Sequence, residues 1–170
     1  LAKINRILSI LHGDNAAIEF SNLVNGFYIE GKIVRDIITI STNQREQLID
    51  ITKQVKRVLE KSGVRDGLVN VYAQGATAGI MIQENWDDSV QTDVVHLLQK
   101  LIPKGVWLHD KQDGNGDSHL KSGLVGPSET IPLMGGQLGL STWQNIFFCE
   151  FDGPRDERKI QVTIIADNAT

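Results

Sequence analysis

A single cysteine, Cys149, stands in a chain of 170 residues. No intrachain disulfide can form, a disulfide-built scaffold is excluded, and a reducing compartment fits. Basic charge is not in excess either: 17 Lys and Arg face 21 Asp and Glu, a net charge of −4. Without a broad positive field, binding to nucleic acid or to an anionic membrane is not expected. No apolar run approaches the roughly 18 residues of a membrane-spanning helix. The opening residues, Leu1 to Arg6, lack the charged start, apolar middle and small-residue cleavage site of a signal peptide. A start at Leu1 instead of Met suggests a trimmed N-terminus, and the expected location is the cytoplasm. Neither a Walker-type phosphate loop nor a Gly-x-Gly-x-x-Gly fingerprint is present, and no internal repeat is found.

What remains is an ordinary globular composition, 41% hydrophobic and 22% charged, which excludes disorder of the whole chain. At about 100–200 residues per domain, the length fits one domain with an appendage. Residues 1–32 form that appendage. Ile4, Ile7, Leu8 and Leu11 mark one face of a short helix. Asn25-Gly26 between apolar runs marks a hairpin, because a type I′ turn needs two residues at positive φ. Such a segment is too short for its own core and should dock on the body or on another subunit.

From residue 33 to 170 the pattern is that of one domain. Strands are expected at 33–41, 47–50, 68–73, 78–82, 106–108, 130–133, 138–142, 146–151 and 160–165. Two main helices separate them. The first buries Ile51, Val55, Val58 and Leu59 and stops at Gly63. The second repeats Val90, Val94, Leu97, Leu98 and Leu101 on one face. A short helix over 119–124, capped by Ser118, follows a polar loop. Strands grouped in blocks, instead of alternating with helices, predict an α+β fold with a mostly antiparallel or mixed sheet.

The polar loop holds the richest chemistry. His109 and His119 bracket Asp110, Asp113, Asn115 and Asp117. Two imidazoles and the Asp117 carboxylate suit a divalent metal, with Gly114 and Gly116 letting the loop fold tightly. The same residues equally suit a solvated acidic loop with two surface histidines. An EF-hand is rejected, since Leu124 stands where its closing Glu is needed. Lys121, Ser128 and Arg155 suit an anion pocket for phosphate or carboxylate, or else ordinary surface charge. Cys149, among aromatics on a strand, reads as inert core filling. Glu150 and Asp152 suit either paired carboxylates or a solvated strand face.

Several ordered motifs then coincide: Thr77-Ala78-Gly79-Ile80, Gln83-Glu84-Asn85, His119-Leu120-Lys121-Ser122, Leu124-Val125-Gly126-Pro127-Ser128, Thr142-Trp143-Gln144 and Asp152-Gly153-Pro154-Arg155. From about residue 37 to 165 the chain resembles the YjbQ-like family, often labelled secondary thiamine-phosphate synthase enzymes. The resemblance implies a compact α+β subunit, a homotrimer, and a site near a subunit interface with His109, His119, Glu84 and Glu150. It also implies a transferase of low activity, joining a pyrimidine pyrophosphate to a thiazole phosphate. In that reading His109, Asp117 and His119 hold Zn²⁺ or Mg²⁺. Lys121 and Arg155 take up charge on the leaving pyrophosphate, with Ser128 in the phosphate pocket. Glu84 and Glu150 accept protons or orient the histidines. The chain departs from the family pattern at Gly75, where a histidine is common, and at Asp117, where some members carry another. That departure favours a second expectation: a non-catalytic trimeric protein that binds a metal, a phosphate or a small acid.

Overall fold

The computed structural model describes residues 32–167. The helix and hairpin expected within residues 1–31 lie outside them. Eight strands and three α-helices follow one another: β1 (Ile33–Thr42), β2 (Gln47–Asp50), α1 (Thr52–Ser62), β3 (Gly67–Ala73), β4 (Ala78–Glu84), α2 (Ser89–Leu101), α3 (Gly116–Val125), β5 (Ser128–Met134), β6 (Gln137–Leu138), β7 (Gln144–Glu150) and β8 (Arg155–Ala166). The fold is α+β, as expected, and every strand pairing is antiparallel.

Two sheets form. The larger has the order β1-β8-β3-β5-β6 and the smaller β2-β7-β4. Strand β8 alternates as the sequence pattern predicts. Ile160, Val162 and Ile164 are fully buried and face the same side, because side chains alternate with a period of two. They meet Val69 and Val71 of β3, Ile131 and Leu133 of β5, and Ile80, Ile146 and Phe148 of the smaller sheet in one core cluster. Helix α1 contributes Val55, Val58 and Leu59 to it and ends at Gly63, whose φ of 67° is left-handed. Glycine takes that conformation at no steric cost.

Strand β7 is buried on both sides. Ile146 and Phe148 enter the main core, while Phe147 and Cys149 join Phe151 and Leu98 in a second cluster. That second cluster lies on the face of the smaller sheet covered by α2 and α3, which pack on β2 and β4. Burial pushes the Cys149 thiol up to about 12. It is a packing group, as its aromatic neighbours in sequence suggest.

Three local expectations are corrected. Residues 106–108 are not a strand; the chain there enters a single 3-10 turn at Leu108–Lys111, tied by Asp110 Oδ2 accepting from the Trp107 amide at 2.8 Å. The strand expected at 138–142 is only Gln137–Leu138. The short helix begins at Gly116, not at His119, so it is a third helix of ten residues. This last change places Asp117 on a helix instead of a loop.

Candidate functional site

Successive residues on an α-helix are turned by about 100°, so positions two apart point to opposite sides and positions four apart share one. On α3 this separates Asp117 from His119 and joins it to Lys121. Asp117 turns inward and is fully buried. Lys121, only 1% exposed, donates to Asp117 Oδ2 at 2.9 Å and to Glu46 Oε1 at 2.9 Å. Arg45, from the link between β1 and β2, closes a bidentate pair on the same carboxylate, with Nη1 to Oδ2 and Nη2 to Oδ1 at 3.0 Å each. Burial alone would raise the Asp117 pKa. Hydrogen bonds and charge from Arg45 and Lys121 overcome it and hold the group at about 2. Ser118, also buried, donates to the Phe151 carbonyl at 2.6 Å. That anchors α3 to the end of β7.

A second ion cluster lies on the other side of that anchor. Glu150, fully buried, accepts from Arg158 Nε at 2.8 Å and from Arg158 Nη2. Thr42 Oγ1 donates to Glu150 Oε2 at 2.9 Å, and the Asp152 amide donates to Oε1 at 2.9 Å. Arg158 also reaches Thr77 Oγ1 at 3.0 Å. Asp152 in turn holds Arg155 Nη2 at 2.6 Å and Asn115 Nδ2 at 3.1 Å. The amide of Gly153 donates to the Arg45 carbonyl at 3.0 Å, which links the two clusters.

His109 and His119 do come together. Their rings stand edge to face with centroids 4.9 Å apart. Gly116 makes this possible. A Cβ there would lie 2.9 Å from Trp107 Cβ and 3.0 Å from Asp110 Oδ1, so only glycine lets the first turn of α3 rest against the 3-10 turn. The Gly116 amide donates to Asp110 Oδ1 at 2.9 Å. The pair borders a small, mostly apolar pocket of ≈ 280 Å³ formed by Trp107, Leu108, His109, Gly116, His119 and Leu120. His109 Nε2 lies 3.8 Å from Asp113 Oδ2, too long for a hydrogen bond.

The other expected site residues disperse. Both oxygens of Asp117 are taken by cations, so the expected set of two histidines and this carboxylate does not form. Among the described residues no three His, Cys, Asp or Glu side chains group to hold a metal. The metal implied by the resemblance therefore does not fit the residues of one chain. Lys121 and Arg155 are not free cations awaiting a phosphate: each is bound to carboxylate. Ser128 is exposed at the start of β5, opposite Tyr72 in the sheet. Glu84 and Glu150 end opposite limits of one ladder, since Glu84 pairs with Gln144 and Ala78 with Glu150. Six residues of strand separate these limits by about 20 Å, so the two carboxylates do not share a site within one chain. The residues missed are Arg45, Glu46 and Arg158. The spacing of Asp117 and Lys121 carries a helical signal for their pair, but nothing local announces Arg45, 72 positions away.

The profile of the UPF0047 protein YjbQ-like family matches residues 36–167. The chain belongs to this family. The YjbQ-like relatives include a UPF0047 protein of Methanocaldococcus jannaschii, 48% identical over 128 residues, covering 75% of this chain and 91% of that protein. The YugU protein of Bacillus subtilis is 40% identical over 121 residues, covering 69% of this chain and 89% of its own length. Among crystal structures, a YbjQ-like protein of unknown function from Sulfolobus solfataricus superposes with a TM-score of 0.78. It shares 34% identity and covers 81% of this chain and 100% of that one. An uncharacterised yjbq/upf0047 family protein from Clostridium acetobutylicum gives a TM-score of 0.73 at 44% identity, covering 76% of this chain and 99% of its own.

Proposed function

We propose that the protein is a homotrimeric, non-catalytic binding protein that holds a small organic acid in the pocket beside the His109–His119 pair. The observation that carries this reading is the edge-to-face pair of imidazoles, 4.9 Å between centroids, at the rim of an apolar pocket. Imidazole N–H groups donate to a carboxylate or phosphate oxygen, and Trp107, Leu108 and Leu120 offer contact to an apolar remainder. The neutralised state of Lys121 and Arg155 supports binding over transfer, because pyrophosphate departure needs cations left free for it. Trimer formation is supported by large apolar side chains left exposed on α2, on α3 and around the 3-10 turn. Leu108 is 85% exposed, and Leu97, Leu101, Val106 and Leu124 are each more than half exposed. Cover from a second copy would remove them from water.

The experiment is calorimetric titration with benzoate and with inorganic phosphate, alongside light scattering. Saturable binding of either acid, lost in His109→Ala and in His119→Ala, together with the mass of a trimer, is the expected result. Thiamine-phosphate formation from a pyrimidine pyrophosphate and a thiazole phosphate with Mg²⁺ present would overturn the non-catalytic reading. A monomer at micromolar concentration would overturn the assembly.

A further inference from the structure

Residues directly opposite one another in neighbouring strands lie on the same face of a sheet. In the larger sheet Ile33 of β1 pairs with Ile165 of β8, Ile165 with Leu68 of β3, and Leu68 with Pro132 of β5. These four form one apolar row across four strands, on the face opposite Val162 and Ile164. Met134, two residues beyond Pro132, extends it. Ile33, Ile165, Leu68 and Met134 are each more than two-fifths exposed. A concavity of ≈ 520 Å³ is lined by Leu68, Pro132, Met134 and Ile165, together with Asp66 and Asp167.

A sheet face that meets water normally carries polar side chains. The next row on this face obeys the rule, with Arg35, Thr163, Asn70 and Thr130 side by side. The row of Ile33 breaks it. The apolar strip is thus confined to the end of the sheet at which β1 begins, and contiguous apolar surface of this kind marks a place of contact.

The chain that enters at this point supplies the occupant. Residues 1–31 carry Ile4, Ile7, Leu8, Leu11, Phe20 and Phe27 among others, and a segment of that length is too short for a core of its own. It leads through Lys32 directly into Ile33, the first member of the row. The row spans three strand spacings, about 14 Å, well within reach of the segment. The tether makes the contact intramolecular and gives it a high effective concentration. A second copy seated on the row would leave the segment's own apolar groups in water, whereas the segment covers both sets at once. Charge agrees: Lys3 and Arg6 are the lysine and arginine of this segment, and the concavity offers Asp66 and Asp167. We propose that residues 1–31 fold back over the outer face of the larger sheet of their own chain and cover the row of Ile33, Ile165, Leu68 and Pro132. The family profile starts at residue 36, so this cover is an addition to the family's domain.

The test uses the full chain labelled with ¹⁵N and carrying a nitroxide on Ser9→Cys; Cys149 is buried and stays unmodified. The expected result is broadening of amide signals centred on Leu68, Thr163 and Ile165, with α2 and α3 unaffected. Met134 should oxidise slowly in hydrogen peroxide, although 67% of it is exposed among the described residues. Leu8→Asp with Leu11→Asp leaves residues 33–167 untouched. It should abolish the broadening and let Met134 oxidise several-fold faster, since oxidation follows exposure. Leu68→Ser, at an exposed position, should give a smaller increase. Broadening centred on α2, α3 or the 3-10 turn would overturn the choice of face. Rapid amide exchange throughout 1–31 without broadening would overturn the docking. Equal broadening of ¹⁵N chains mixed with unlabelled, nitroxide-bearing chains would place the segment on a neighbouring copy and overturn the intramolecular contact. Met134 that stays protected in the Leu8→Asp, Leu11→Asp chain would show that another surface covers the row. The histidine-pair reading is judged by benzoate and phosphate, so either proposal can fail without the other.

Discussion

Helices α1 and α2 carry similar amphipathic signals and meet different fates. On α1 the whole apolar face is buried, with Val55 at 0%, Val58 at 6% and Leu59 at 4% exposure. On α2 only Leu98 is buried, while Leu97 and Leu101 are 56% and 60% exposed. A helical pattern tells which side of a helix is apolar, not what will lie against it. Helix α3 adds an intermediate case: its inward side is polar, and it is held by ion pairs where α1 is held by packing.

The largest expected effect separates α3 from the other two. Lys121→Ala leaves Asp117 and Glu46 buried with Arg45 as their shared cation, and the loss should be about 3–5 kcal/mol, read from the urea midpoint. A loss near zero would show that the cluster is solvated and that α3 resembles α2. Next comes Leu59→Ala on α1, expected to cost about 2–5 kcal/mol because the cavity it leaves cannot fully collapse. The acid limb of stability sharpens the role of the ion pairs. Asp117 titrates at about 2 in the fold, below the usual value of about 3.9. Its contribution, on the order of 2 kcal/mol, is therefore complete above about pH 4 and is lost as pH falls toward 2. Replacing Arg45 with Met should move acid unfolding to higher pH, and an unmoved acid limb would show that Arg45 does not hold the carboxyl down.

The smallest effect on the chain itself is expected on α2. Leu97→Ala should change chain stability by no more than about 0.5 kcal/mol, yet Leu97→Asp with Leu101→Asp should abolish the proposed trimer in light scattering. If these changes destabilise the chain as much as Leu59→Ala, the two helices are equivalent and the comparison collapses.

Much of the fold was legible because it rests on local periodicity. The alternation of Ile160, Val162 and Ile164, the buried face of α1 and the stop at Gly63 all follow from short-range pattern. The site was legible where chain geometry alone brings residues together, as Gly116 does for His109 and His119. It failed at Asp117, because a start of α3 three residues earlier reverses the side on which that carboxylate lies. It failed also at Arg45 and Arg158, whose partners are chosen by tertiary packing. The exposure of Leu97 was hidden for a related reason, since a pattern carries no record of its cover.

Strand β8 has a consequence for how the molecule is made. It sits between β1 and β3 in the larger sheet, and Ile33 pairs with Ile165. The chain must close a loop of about 130 residues before β1 gains its only described neighbour, and such non-local pairing slows folding. During synthesis β1 emerges early and waits with the edge that β8 will cover still open. Exposed strand edges invite pairing with other chains. A nascent chain halted before β8 has left the ribosome would therefore depend on holding chaperones, and release of β8 would be the step that lets the larger sheet close.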